Sequence, residues 1–294
     1  MKPNSALAPY AGQAAALQKL IAGQAGPGDC LLLEDLMPAG FTGWAGLNRP
    51  ETWLEVSPAL PAAADLMMAA ARQFTVSDQP RLFAGLVPVM RQVAGLAEAG
   101  EIETAGSLWH ALGEYLQITA DFKAAAEALD HALRLDEERL GPGHPFVARD
   151  LYQQAAGLRE YGLYKDAQPL LERALAIDES QPEPDPLALA RDLAGLGQNA
   201  QDLGDLEEAR ELLERAVRLA QEVRGLQDPL AARCLDALGV ILRDLGQTAQ
   251  AQAVLEQALA IDEAALGSHH PAVARDANDL GVVYQSAGAI ERAR

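Results

Sequence analysis

Residues Ala148 to Ala174 read ARDLYQQAAGLREYGLYKDAQPLLERA, and the C-terminal two thirds of the chain repeats this pattern every 42 residues. A shift of 42 residues superposes small residues in four columns. The columns are Gly113, Ala155, Gly197, Gly239 and Gly281; Ala120, Gly162, Gly204, Gly246 and Gly288; Ala125, Ala167, Ala209, Ala251 and Ala293; and Ala132, Ala174, Ala216 and Ala258. A fixed period of this length predicts a repeat architecture.

These columns predict a hairpin of two helices as the repeating unit. A small residue near the middle of a first helix lets a second helix cross it closely, and the two alanine columns of the second helix serve the same contact. The column that contains Gly162 and Gly204 ends the first helix, because a left-handed residue is least costly as glycine. A leucine column is predicted to fill the space between hairpins: Leu129, Leu171, Leu213 and Leu255.

The order of the small residues resembles the tetratricopeptide repeat, in the 42-residue variety found in kinesin light chain. Residues 140–148 (LGPGHPFVA) and 266–274 (LGSHHPAVA) match the opening of that family's repeat, and residues 169–177 (PLLERALAI) match its close. The resemblance covers about residues 100–294 and implies an all-α fold, an α-solenoid in which helix hairpins form a right-handed superhelix. It implies a scaffold that binds a protein or peptide partner, without catalysis of its own.

The repeat pattern also divides the chain into regions. Residues 1–60 show no clean period of helix or strand and stay unassigned. Residues 61–100 are predicted to form a degenerate helical hairpin that caps the array, with two unrelated linker helices as the alternative. Four full repeats are predicted at about 101–140, 145–179, 186–224 and 229–266, and a truncated fifth at 271–294.

The fifth repeat stops just after the column alanine Ala293. We therefore expect either a fragment of a longer protein or a partner that covers the last helix, self-association through the truncated repeat included. A short echo at Thr52-Trp53 and Leu60-Pro61 resembles the junction before such repeats in bacterial STAND-class signalling ATPases. The alternative function is a sensor or autoinhibitory arm of a larger STAND-type ATPase or protease.

Charge and cysteine content bound the partners and the compartment. A net charge of −19 disfavours nucleic acid and anionic membrane surfaces as main partners. Two cysteines cannot make a disulfide framework, and the first residues lack the apolar core of a secretory signal. No apolar run approaches the roughly 20 residues that span a bilayer. These features predict a cytoplasmic protein.

The sequence contains no recognisable catalytic, phosphate-binding or metal-binding motif, which predicts a protein that is not an enzyme and has no cofactor or metal. His144 and His270 stand before a proline where the other repeats have Asp185 and Asp228. Aspartate before proline is typical of a helix start. We therefore expect the two histidines to serve helix entry and not metal binding.

An arginine recurs at one position of the first helix, as Arg149, Arg191, Arg233 and Arg275. In the family this position faces the concave groove, so this arginine column is predicted to bind carboxylates of an extended acidic segment. An aspartate follows three of the four arginines, as Asp150, Asp192 and Asp276. The alternative is therefore that the arginines pair with carboxylates of neighbouring hairpins and hold the array together.

The remaining candidate groove residues are Tyr152 and Asn278. The paired asparagines of the family fall here on Tyr152-Gln153, Ala194-Gly195, Asp236-Ala237 and Asn278-Asp279. The loss of most of these amides argues against kinesin-like cargo recognition, since an asparagine can clamp a peptide main chain. Tyr152 offers an aromatic surface for an apolar side chain instead.

Overall fold

The computed structural model describes residues 87–224 and 228–286, together with Met68, and the two ranges form ten helices without a strand. In chain order these are α1 (Val87–Ala99), α2 (Ala105–Ile118), α3 (Phe122–Leu140), α4 (Pro145–Glu160), α5 (Tyr164–Glu179), α6 (Pro186–Leu203), α7 (Leu206–Arg224), α8 (Pro229–Asp244), α9 (Thr248–Leu266) and α10 (Pro271–Ser286). The chain divides into two compact units, residues 1–142 and 143–294. The unassigned segment 1–60, most of the predicted cap and the second helix of the fifth repeat lie outside the described residues.

In the first unit, α2 and α3 pack as a hairpin and α1 packs on α2. A polar cluster joins the three helices through the carboxylate of Glu98 on α1. This carboxylate accepts a hydrogen bond from Trp109 Nε1 at 2.9 Å and pairs with His131 at 3.0 Å and with Arg134. The rings of Trp109 and His131 stack with their centroids 4.5 Å apart. Helix α1 is thus held on the first hairpin, while the cap role of residues 61–100 remains a prediction.

The second unit is a stack of hairpins. Helices α4 and α5, α6 and α7, and α8 and α9 pack in pairs, and each second helix packs on the next first helix, ending with α10 on α9. Apolar faces of consecutive hairpins meet in shared clusters, one of which runs from Leu193 to Val283. This arrangement confirms the predicted all-α solenoid.

Close helix crossings explain the first column of small residues. A Cβ atom added to Gly197 would lie 2.7 Å from Leu213 Cγ, closer than real Cβ contacts come. The same collision recurs for Gly113 with Leu129 and for Gly239 with Leu255. Leu171 also reaches the next hairpin, where its Cδ2 would lie 3.1 Å from a Cβ on Gly195. Leu129, Leu213 and Leu255 therefore pack inside their own hairpins, and Leu171 also packs between hairpins, the place that the sequence predicted for this column.

The helix ends follow the predicted signals. Gly162, Gly204 and Gly246 have φ angles of 72°, 94° and 75°, in the left-handed region where glycine is least strained. At each entry the predicted cap accepts a hydrogen bond from the backbone N–H two residues on, at 2.8–3.1 Å: His144 from Phe146, Asp185 from Leu187, Asp228 from Leu230 and His270 from Ala272. The helix-entry role of the histidines is confirmed.

Candidate functional site

The arginine column lies on the first helices of the second unit, with Arg149 on α4, Arg191 on α6, Arg233 on α8 and Arg275 on α10. Each helix starts at a proline after its cap, so each arginine falls in the second turn at a similar height. The four arginines therefore occupy the same position of each first helix. Their contacts nevertheless differ from one repeat to the next.

Arg149 and Arg191 line one pocket of about 520 Å³. Its other lining residues are Pro145, Phe146, Asp178, Gln181, Pro182, Glu183, Asp185 and Ala188. The exposed ring of Phe146 forms part of an apolar wall beside the two guanidinium groups. The Gln181 amide donates to Gly143 O at 2.9 Å, which ties the loop after α5 to the start of α4.

Arg191 is engaged by the protein itself. Its Nε and Nη2 donate to Asp192 Oδ1 at 2.9 and 2.6 Å, and Nη2 also donates to Asp178 Oδ2 at 3.2 Å. Both aspartates are buried, and Asp178 belongs to α5 of the preceding hairpin. Arg191 therefore joins two hairpins, in keeping with the structural alternative.

Tyr152 lies beside this arginine rather than apart from it. The Arg191 guanidinium carbon is 4.9 Å from the centre of the Tyr152 ring, a cation–π contact. A Cβ on Gly195 would lie 2.7 Å from Tyr152 Cε2, so the ring needs glycine at this position of α6. The loss of the family's asparagine at Gly195 thus makes room for a tyrosine from the hairpin before.

Two further arginines are paired in related ways. Arg149 donates to Asp150 Oδ1 from Nε and Nη2 at 3.2 and 3.0 Å and lies over the Phe146 ring at 4.7 Å. Arg275 pairs with Asp276 at 3.1 Å and with Asp236 of α8 at 3.0 Å. Asn278 is exposed on α10, one turn after Arg275.

Arg233 differs from the other three arginines. Its side chain is exposed, and the residue after it is Cys234. Within 87–224 and 228–286, no side chain forms a hydrogen bond or ion pair with Arg233. The structure thus combines three internally paired arginines with one that points its charge to solvent.

Paired buried carboxyls accompany the arginines. Burial raises the pKa of Asp192 to about 7, against the lowering effect of Arg191, and it also raises the pKa of Asp178. Both carboxyls accept a hydrogen bond from Arg191 Nη2, which brings them to the same contact. Burial likewise raises the pKa of Asp262 to about 6 and that of its partner Asp276. Asp178 and Asp262 lie on second helices, and Asp192 and Asp276 lie on the first helices that follow them.

A sequence model of the tetratricopeptide repeat matches residues 104–180, 189–264 and 238–294, which together exceed half of the chain. The chain belongs to the tetratricopeptide repeat family. Members of this family are protein-interaction scaffolds, and this function class applies to the chain. A comparison with curated protein sequences gives no match.

Three solved structures show the same tetratricopeptide fold. A point variant of a Podospora anserina protein with nearly identical TPR-like repeats of the kinesin light chain kind is 24% identical, with a TM-score of 0.54 over 65% of this chain and 92% of its own. BtubC (BKLC) from P. vanneervenii is 23% identical, with a TM-score of 0.56 over 81% of this chain and 86% of its own. A Rap protein complexed with competence and sporulation factor is 15% identical, with a TM-score of 0.59 over 100% of this chain and 85% of its own. The expected resemblance to kinesin light chain repeats is confirmed.

The paired buried carboxyls are functional residues that were not predicted from the sequence, although they recur with the 42-residue period. One column of the tetratricopeptide array reads Asp136, Asp178, Ala220, Asp262, and the column fourteen residues later reads Asp150, Asp192, Cys234, Asp276. Asp192 is recognisable in the sequence as the neighbour of Arg191, whereas Asp178, thirteen residues before it, is not. Both columns lose their carboxyl group in the same repeat, at Ala220 and Cys234. Within the second unit, this joint change is the signal that position 178 lies near position 192 and position 262 near position 276.

Among the helices of residues 87–224 and 228–286, none has the length and hydropathy that a membrane span needs. No group of three or more histidine, cysteine, aspartate or glutamate side chains there is placed to hold a metal ion.

Proposed function

We propose that this tetratricopeptide array is a non-catalytic scaffold that binds an acidic segment of a protein partner across its first helices. The candidate contact residues are Arg149, Tyr152, Arg191, Arg233, Arg275 and Asn278. We place this function in the cytoplasm, in keeping with the sparse cysteines.

The observation that carries the proposal is the pocket shared by Arg149 and Arg191. It offers an exposed aromatic ring, Phe146, next to two guanidinium groups. Arg191 uses Nε and Nη2 on Asp178 and Asp192, and Nη1 donates to no described residue. A guanidinium has five N–H donors, so the remaining ones are open to a carboxylate. An acidic segment with an apolar side chain would use both parts of the pocket.

The small free energy of an exposed ion pair determines how such a segment must bind. An exposed ion pair contributes only about 0.2–1 kcal/mol, so no single arginine could hold a partner. Several ion pairs must act together, and the burial of an apolar side chain adds to the affinity that they give. Because exposed charges are screened by salt, affinity should fall as ionic strength rises.

Selection from a library of random peptides tests the proposal. We expect the enriched peptides to be rich in aspartate and glutamate and to carry an apolar residue. Phe146→Ala should weaken their binding several-fold, because the ring forms the apolar wall of the pocket. Tyr161→Ala is the matched control, since this aromatic residue is also exposed but does not line the pocket. Enriched peptides without an excess of acids, or equal losses in both variants, would contradict the proposal.

A further inference from the structure

Three side chains contact the guanidinium group of Arg191, and each is separated from it by a defined number of residues in the sequence. Asp192 is the next residue, Asp178 lies thirteen residues before, and Tyr152 lies thirty-nine residues before. The two aspartates accept its hydrogen bonds, and the tyrosine ring lies under its guanidinium group. Because the repeat has a fixed period, the same three offsets identify the equivalent neighbours of the other arginines in the column.

At Arg233 the same three offsets give Cys234, Ala220 and Ala194. None of these side chains can neutralise or stack on a guanidinium group. Cys234 and Ala220 are fully buried, and burial raises the pKa of the Cys234 thiol to about 11, so it stays neutral. All three internal partners are absent in one repeat.

Asp236 is a further acid near Arg233 in the sequence, but it pairs with Arg275, the next arginine of the column. Asp236 lies one turn further along α8, but its carboxylate is 3.0 Å from Arg275. Arg275 also has Asp276 beside it and Asp262 thirteen residues before. The acids around the junction of α8, α9 and α10 are therefore assigned to Arg275 and not to Arg233.

Charge balance then separates the four positions. The Arg191 guanidinium group donates to both Asp178 and Asp192, so two acids already occupy it. Arg275 faces three aspartates, and Arg149 is held by Asp150. Among the four arginines of the column, Arg233 is therefore the one that forms no hydrogen bond or ion pair with a described side chain, so an incoming carboxylate has no such acid to displace there.

From this contrast we infer that Arg233, at the junction of α7 and α8, determines the specificity of the array for an aspartate or glutamate side chain of the bound segment. The inference rests on the proposed function and assigns the largest share of its acid recognition to one junction. Arg191 and Arg275 also hold hairpins together through their internal acids, and Arg149 with Phe146 lines the pocket beside Arg191. Coordinated loss of three partners leaves Arg233 free for a ligand without changing the backbone of the repeat.

Fluorescence anisotropy with a labelled, end-blocked hexaglutamate peptide tests the inference, with hexaglutamine as the uncharged probe. We expect wild type to prefer hexaglutamate and Arg233→Gln to weaken its binding about two- to fivefold, the size of one exposed ion pair. Arg218→Gln removes the same charge from an exposed position of the second helix α7, outside the candidate contact residues, and should have a smaller effect. Circular dichroism confirms that each variant is folded.

A second variant keeps Arg233 and restores its missing partners. Ala220→Asp with Cys234→Asp installs the carboxyl pair that the chain has at 178 and 192, and should weaken hexaglutamate binding as Arg233→Gln does. Should this variant not fold, the reverse exchange, Asp178→Ala with Asp192→Cys, frees Arg191 and should strengthen binding about two- to fivefold.

The outcomes separate the two proposals. If hexaglutamate binds wild type no better than hexaglutamine, recognition of acidic segments is wrong, and the role of Arg233 is wrong with it. If hexaglutamate is preferred but Arg233→Gln binds as wild type does, the proposed function stands and the inference fails. If neither pair exchange alters binding, internal compensation does not control the site, and the inference fails as well.

Discussion

At the scale of single residues, contact distances identify the positions that cannot accept a larger side chain. Gly197 leaves no room for a Cβ, since Leu213 Cγ would lie 2.7 Å away. Gly197→Leu should therefore overpack the hairpin of α6 and α7 and lower the free energy of unfolding by about 1–3 kcal/mol. Chemical denaturation measures this loss.

Gly143→Ala is the matched control for this substitution. No heavy atom lies within 4 Å of a Cβ added at Gly143, so we expect stability to change little. Equal denaturation curves for Gly197→Leu and wild type would show that the small-residue columns do not mark close crossings.

The buried carboxyls predict a pH dependence of stability. The pKa of Asp192 is about 7 in the folded protein and near 3.9 in an unfolded chain, so folding takes up a proton between these values. Its stabilising effect is complete below about pH 4 and is lost as the pH rises through about 7. The melting temperature should thus rise when the pH falls from about 8 to about 6, with a contribution of at most about 1.4 kcal/mol per pH unit from this group.

Asp192→Asn isolates this contribution, because an amide does not titrate. We expect the melting temperature of the variant to depend less steeply on pH than that of wild type over this range. Parallel pH profiles would mean that Asp192 holds no proton in the folded protein.

At the scale of the helix, entry signals repeat with different side chains. Asp185 caps α6 by accepting from Leu187 N at 2.9 Å, and His144 does the same for α4. Asp185→Ala should lower the free energy of unfolding by about 0.5–2 kcal/mol, because the amide loses its partner. Asp185→Ser keeps an acceptor and should retain most of the stability. If alanine and serine behave alike in denaturation, the cap does not stabilise α6.

At the scale of the whole molecule, the 42-residue period predicted the features that repeat because every hairpin packs in the same way, namely helix ends, close helix crossings and helix caps. The left-handed Gly204, the crossing at Gly197 and the caps recur because each hairpin presents the same face to its neighbours. The partners of the arginines could not be predicted in this way. Arg191 and Arg233 share a column, yet their surroundings depend on side chains contributed by the preceding hairpin, which the period leaves free to vary.

The sequence therefore predicted where the candidate site lies but not which of its arginines are paired with internal acids. The sequence located the arginine column and raised internal pairing as an alternative, and the structure shows such pairs at Arg149, Arg191 and Arg275. The pocket beside Phe146 could not be predicted, because it depends on how the loop after α5 meets α4. Whether the column binds a partner remains a prediction.

The most direct test of the account is to map hexaglutamate binding by nuclear magnetic resonance on the whole chain, with backbone amide and arginine side-chain signals. We predict shifts concentrated on the first helices α4, α6, α8 and α10, with the Arg233 Nε signal among the largest. Shifts confined to the second helices α5, α7 and α9, or an unmoved Arg233 signal at saturation, would contradict it.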